Sequence, residues 1–260
     1  MSEKLRNRFR SRDPLFGAWT SLGHPSITEI FAQSTVDFIG LDLEHSTISL
    51  EQAQALMSAS QSAGVPCLPR LSSQNPEQIK RLLDSGADGV IVPMISSASE
   101  VKRMIEAVKY PPIGKRSYGI SRAQRYGSGF DEYTSTWNKK GILLIQIESI
   151  QGVRAIDEIL SHDEIDGAMV GPYDLSGSLN VPGQLFHPEV TKASQTVIEA
   201  CRKYGKACGT QLVDPTEENM EEALGAGFTF TILASDIFLL WKWSERMKSY
   251  IHSVKSVKVS

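Results

Sequence analysis

Short apolar runs in this 260-residue chain end repeatedly in side chains that can do chemistry: Trp19, Asp42, Glu44, His45, Arg70, Gln146, Glu148, Asp174, Gln211 and Asp236. Gln146 and Glu148 lie two apart on the run ILLIQIE, so in a strand they share one face. A carboxylate on a buried face needs a compensating cation, which a metal ion or Arg70 would provide. Asp174 follows the next run, in VGPYDLSG, where a turn enters a helix. Alone it reads as an N-cap; paired with Glu148 it reads better as a second metal ligand. Two carboxylates with water completing the shell suit Mg2+ or Mn2+, with Co2+ and Zn2+ also compatible.

His45 closes LDLEH three residues after Asp42, close enough in sequence for the carboxylate to orient it as a general base. A satisfied structural histidine is the simpler alternative. Arg70 ends the apolar run VPCLPRL and must find an anion there: a substrate carboxylate, a developing enolate or a structural salt-bridge partner. Trp19, Gln146 and Gln211 complete the set as substrate-facing candidates.

The elements that must position these residues follow from the hydrophobic pattern. Eight apolar runs, at 17–22, 37–43, 65–71, 89–94, 142–148, 167–172, 207–213 and 228–234, have the aliphatic content of strands buried on both faces. Between and after them lie segments with helical character: Pro25–Ser34 and Leu50–Ala63, expected on Ser or Thr N-caps, then one opening at Asn75-Pro76, Ser97–Val108, Gly152–Leu160, Pro188–Tyr204, Pro215–Leu224 and Asp236–Tyr250. Strict β/α alternation implies a parallel sheet, and eight units in 260 residues favour closure into a single-domain (β/α)8 TIM barrel over 1–260. In that fold the active site lies at the C-terminal strand ends, where the reactive side chains fall. Residues 110–140 read as a long irregular loop rich in Gly, Arg and Tyr, and the last ten residues as a polar tail.

Other chemistries find no support. The formal charge of −3 is spread along the chain without a basic stripe, which argues against nucleic acid and anionic membrane partners. Three cysteines without a CxxC pair fit buried reduced thiols, and the N-terminal residues lack the apolar stretch of a signal peptide, so a cytoplasmic protein is expected. No strand segment carries the lysine of a Schiff-base aldolase. GxGxxG after a strand, GxxxxGK[ST] and GxSxG are all missing, so neither nucleotide binding nor a nucleophile elbow has a motif.

Taken together, DFIGLDLEH, the Arg of LPRL, GADG before VIVPM, QIES and GPYDLSGSL resemble, in order and spacing, the HpcH/HpaI aldolase family, metal-dependent pyruvate aldolases akin to citrate lyase β subunits. The resemblance spans essentially the whole chain. It implies metal binding by Glu148 and Asp174, a hydrogen bond from Gln146 beside the metal, and contact of Arg70 with the 2-oxo oxygen. It further implies proton transfer by a His45–Asp42 dyad, an Asp84 that reaches a neighbouring subunit's site, and carboxylate binding by the backbone amides of Tyr173 and Asp174. Homohexamers built as trimers of dimers, with exchanged C-terminal helices, are implied as well. Two positions depart from the family pattern: Ser117-Tyr118 follows Lys115-Arg116 where Gly is frequent, and Tyr173 replaces a small residue. The expected reaction is aldol cleavage of a 4-hydroxy-2-oxo acid to pyruvate and an aldehyde. A Claisen-type or citrate-forming condensation using another 2-oxo acid or a CoA ester is the first alternative, and a catalytically silent binding barrel the second.

Overall fold

The computed structural model describes residues 2–257. Its eight strands are β1 (Leu15–Thr20), β2 (Phe38–Asp42), β3 (Cys67–Arg70), β4 (Gly89–Val92), β5 (Ile142–Ile147), β6 (Gly167–Val170), β7 (Ala207–Leu212) and β8 (Phe230–Leu233). They pair in sequence order, all parallel, and β8 returns to β1, so the sheet closes as a (β/α)8 barrel. The helices are α1 (Ser2–Ser11), α2 (Pro25–Ala32), α3 (Leu50–Ser62), α4 (Pro76–Asp84), α5 (Ala98–Val108) and α6 (Phe130–Lys140). They continue with α7 (Ile150–Arg154), α8 (Ile156–Leu160), α9 (Pro172–Ser178), α10 (Pro188–Lys203), α11 (Glu217–Ala226) and α12 (Asp236–Val257). No helix among the described residues is long and apolar enough to cross a membrane.

Alternation along each strand divides the core in two. Leu15, Trp19, Phe38, Leu68, Ile91, Ile142, Leu144, Met169, Phe230 and Ile232 fill the barrel interior, whereas Ile39, Leu41, Cys67, Val90, Leu143, Ile145 and Cys208 face the helix layer. The same parity puts Asp42, Arg70, Gln146 and Gln211 inward at the top, so the interior ends in a polar layer. Large aromatics fit because glycines face them: a Cβ on Gly40 would lie 2.4 Å from the Trp19 ring, and one on Gly209 2.1 Å from Phe230. All three cysteines are buried and free, as expected.

Helix α1 has no counterpart in the sequence expectation. Its Leu5 and Phe9 close the bottom of the interior, Phe9 packing edge-on to Phe230 at 5.3 Å between ring centroids. Arg6 and Arg10 fix it by placing their Nε atoms 2.9 and 2.7 Å from the buried Asp166 carboxylate. The stretch 110–140 is likewise more ordered than expected: it holds a 3-10 turn (Arg122–Gly127) and α6. The α6 sequence, FDEYTSTWNKK, is poor in strong helix formers and buries only Trp137, so propensity and periodicity both conceal it. The 150–160 helix is two short helices, and α12 continues through the expected polar tail to Val257, leaving 258–260 outside the described residues. Ser49 caps α3 as expected, but α2 is capped by His24, whose Nδ1 accepts from the Ser26 amide. On α12, which Lys242 ties to Asp214, the side chains of Leu239, Leu240, Trp241, Trp243, Tyr250 and Ile251 are exposed.

Candidate active site

Asp42 and Arg70 end β2 and β3 and are register partners, so the ladder itself sets them side by side. Both are buried, and Asp42 Oδ1 accepts from Arg70 Nε at 3.1 Å with Nη2 at 2.8 Å. The same oxygen accepts the backbone amides of Glu44 (3.0 Å) and His45 (3.1 Å), which pins the loop leaving β2. Burial works to raise the Asp42 pKa, but Arg70 and these amides outweigh it and hold the carboxyl below its ordinary value. Arg70 is stacked over Trp19, its guanidinium carbon 5.0 Å from the ring centroid. Its Nη1 lies 3.0 Å from Glu44 Oε2 but without the alignment of a hydrogen bond.

Glu148 follows β5 and is 3% exposed. Its Oε1 accepts from Gln146 Nε2 (2.7 Å) and its Oε2 from the Met94 amide (2.9 Å). Met94 reaches this position with φ of 55°, a left-handed conformation uncommon for a residue with a side chain, and Gln74 Nε2 holds its carbonyl at 2.8 Å. Burial raises the Glu148 pKa to about 7; Glu44 and Asp174 add to the rise, while the Met94 amide and Arg70 oppose it. Glu44 is also shifted up, first by burial and then by Asp42 and Asp174, against Arg70 and His45. Gly171 lets the chain pass closely over this group, since a Cβ there would sit 2.5 Å from Glu148 Oε1.

Asp174 is exposed in the first turn of α9, next to Tyr173, and both line a cavity of about 690 Å³ together with His45, Arg70, Gln146, Glu148 and Gln211. The structure therefore gathers most of the sequence-derived candidates in one place. Others sit elsewhere. Trp19 lies beneath Arg70 and outside the cavity lining, as a floor. Asp42 contacts Arg70 and backbone amides, whereas the exposed His45 ring has Glu44 Oε2 as its nearby carboxylate, 3.9 Å from Nε2. Asp236 is a staple: its carboxylate accepts from the Ser21, Leu22 and Ile237 amides. Asp84 ends α4, five residues before β4 begins and thus at the opposite end of the barrel, where Oδ1 binds Arg116 Nη2 at 2.7 Å. Sequence reasoning placed Glu44 on the rim without a role and missed the Met94 amide. The first was visible as an ionisable residue in LDLEH; the second depends on a backbone conformation that residue types do not announce.

No group of three or more His, Cys, Asp and Glu side chains is gathered as a metal cage among the described residues. What is present is an open arrangement that fits a divalent cation. Glu148 is a buried carboxylate with other acids near it, and Gln146 Oε1 is a buried acceptor without a partner. An open, acid-rich cavity at the C-terminal rim of a (β/α)8 barrel lies where enzymes of this fold carry their active sites.

Comparison with known proteins agrees. The HpcH/HpaI aldolase/citrate lyase family model matches residues 15–242. A 2-keto-3-deoxy-L-rhamnonate aldolase of Salmonella gallinarum is 32% identical over 99% of this chain and 95% of its own. A hydroxypyruvate/pyruvate aldolase of Roseobacter denitrificans is 33% identical over 88% and 89%. An HpcH/HpaI aldolase/citrate lyase family protein from Burkholderia cenocepacia superposes with a TM-score of 0.88 at 27% identity, over 96% of this chain and 99% of that one. The chain belongs to the HpcH/HpaI aldolase/citrate lyase family and is a carbon–carbon lyase. The family is generally dependent on a divalent metal.

Proposed function

We propose that the enzyme cleaves a 4-hydroxy-2-oxo acid reversibly to pyruvate and an aldehyde. The observation that carries this is the buried Glu148 beside Arg70 in a cavity that Asp174 and His45 also line. A relative whose name includes pyruvate aldolase supports the nucleophile. A divalent cation held by Glu148 and Asp174, with Mg2+ or Mn2+ as the first choices, would supply Lewis-acid polarisation of the 2-oxo group. Gln146 donates to Glu148 and so fixes the orientation of that carboxylate.

Arg70 places fixed positive charge where the enolate oxygen develops, and its Asp42 and Trp19 contacts pre-organise it. His45, exposed to the cavity, takes the C4 hydroxyl proton, and the C3–C4 bond then breaks to leave an aldehyde and an enolate. The enolate takes a proton at C3 from the protonated His45, or from water that His45 then re-protonates, giving pyruvate and restoring the base. Glu44, rather than Asp42, is the carboxylate placed to influence the His45 ring. The first-turn amides of Tyr173 and Asp174 receive the substrate carboxylate. Asp84, held by Arg116, serves a neighbouring subunit's site in a hexamer whose partners exchange α12, which would cover that helix's apolar residues.

Proton–deuterium exchange at the pyruvate methyl group, followed by NMR in D2O, tests this without the aldehyde. Exchange that requires Mg2+ or Mn2+ and vanishes in EDTA and in Glu148→Ala is expected. Absence of exchange with every metal would remove pyruvate as the nucleophile.

A further inference from the structure

The cavity is larger than a three-carbon oxo acid needs; its volume of about 690 Å³ falls among pockets for drug-sized ligands. Its far part has a different chemistry from its rim. Leu212 lies on the outward face of β7, with the same parity as the helix-facing Cys208, and Ile198 of α10 and Phe228 after α11 pack in that outer layer. The cavity thus runs from the barrel rim over the end of β7 into a cleft between α10 and α11. Leu185 and Phe186 stand on the loop before α10, and Phe186 is 95% exposed.

Charge is confined to one end. Among the described residues, the acidic and basic side chains lining the cavity are His45, Arg70, Glu148 and Asp174, all at the rim with the phenol of Tyr173 beside them. The cleft beyond them adds only neutral groups such as Ser194, Gln195 and Asn219 to its apolar wall. A second carboxylate would find no cation there, and the side of the wall made by Leu185, Ile198, Leu212, Val213 and Phe228 offers hydroxyls no side-chain partner. Methylenes lose nothing by leaving water.

We propose that the aldehyde partner carries an uncharged aliphatic chain, which lies in the cleft between α10 and α11 against Ile198, Leu212 and Phe228. This rests on the aldolase reading above and narrows its substrate class. Each methylene buried adds up to about fourfold to kcat/KM until the cleft is full.

The test measures aldol synthesis from pyruvate with propanal, pentanal and heptanal, against glyceraldehyde and succinic semialdehyde. We expect kcat/KM to climb about two- to fourfold per methylene, with heptanal at least tenfold ahead of both polar aldehydes. Leu212→Ser, at the half-buried end of β7, and Ile198→Asn should flatten the series. Saturation-transfer NMR with 1-heptanol reads the cleft without chemistry, and its signal should fall in both variants. Pyruvate exchange with a flat series, as when a second copy's α12 fills the cleft, overturns the proposal. A preference for succinic semialdehyde or an absent heptanol signal does the same. Heptanol bound through Leu212 and Ile198 without pyruvate exchange would uphold the cleft and refute the aldolase reading instead.

Discussion

Replacing Glu148 by Gln in the metal-free protein isolates the electrostatic tension at the centre of the site. The wild-type carboxyl is raised from 4.5 to about 7, first by burial and then by Glu44 and Asp174. A group whose folded pKa lies above its unfolded value contributes its full stabilisation below the unfolded pKa and loses it as pH rises through the folded one. The loss therefore falls between about pH 4.5 and 7, and a shift of that size corresponds to about 3 kcal/mol. Glutamine does not titrate, and it keeps the local hydrogen bonds if Gln146 turns over. Gln146 Oε1, now without a partner, would then accept from the new amide while the Met94 amide still has an oxygen to meet.

Urea unfolding in EDTA at pH 5, 6, 7 and 8, at one protein concentration, measures the difference between the two proteins. Near pH 5 the variant should lead by no more than about 1 kcal/mol. By pH 8 the variant should be ahead by about 3 kcal/mol, roughly 6–12 °C in Tm for a domain of this size. The shifts at Asp42 and Glu44 are common to both proteins and largely cancel. Under the proposed function, adding Mg2+ or Mn2+ at pH 8 should reverse the order, because only the wild type would keep both proposed ligands. Parallel profiles from pH 5 to 8 would refute the reasoning, since they would mean that the burial of Glu148 is already compensated.

Arg70→Ala should lower kcat/KM by about 10²–10³, measured on whichever aldehyde proves fastest, and should also destabilise the fold by about 3–5 kcal/mol because Asp42 and Glu44 lose their cation. Full activity in that variant would exclude Arg70 from the chemistry. Phe9→Ala opens the bottom of the barrel interior against Phe38 and Phe230 and should cost about 3–5 kcal/mol by urea unfolding with little change in KM, since the site lies at the other end.

The barrel was legible because its signals are periodic: each apolar run contains or overlaps a strand, from Leu15–Thr20 to Phe230–Leu233. Most of the site was legible for a related reason. Inward parity at the top of a parallel strand leaves few residue types that make sense without a partner, so Arg70, Gln146 and Glu148 announced themselves. What escaped notice is held by contacts distant in sequence. Helix α1 buries only two large apolar side chains and owes its place to Asp166, more than 150 residues away. Helix α6 is built from weak helix formers, while the nearby guanidinium of Arg116 lies among Tyr110, Tyr133 and Trp137. The setting of His45 was not legible from proximity alone: Asp42 reaches it through the backbone amide, while the ring has Glu44 Oε2 3.9 Å from Nε2.

That commitment of Arg70 has a consequence for how the site fills. Its Nε donates to Asp42 Oδ1, its Nη2 lies 2.8 Å from the same oxygen and its Nη1 3.0 Å from Glu44 Oε2, so its one positive charge is shared among several carboxylates. Burial raises the pKa of Glu148 and that of Glu44, and neighbouring carboxylates add to it: Glu44 and Asp174 act on Glu148, and Asp42 and Asp174 on Glu44, around a single guanidinium. An anionic 2-oxo acid entering this site meets net negative charge from groups held in a low-dielectric wall, where repulsion is poorly screened. A divalent cation reverses the sign of that field before it contributes anything to bond breaking. Under the proposed function, binding would therefore be ordered, cation first and oxo acid second. The Arg70–Glu44 contact, close but poorly aligned, is the one the substrate oxygen can replace at least cost.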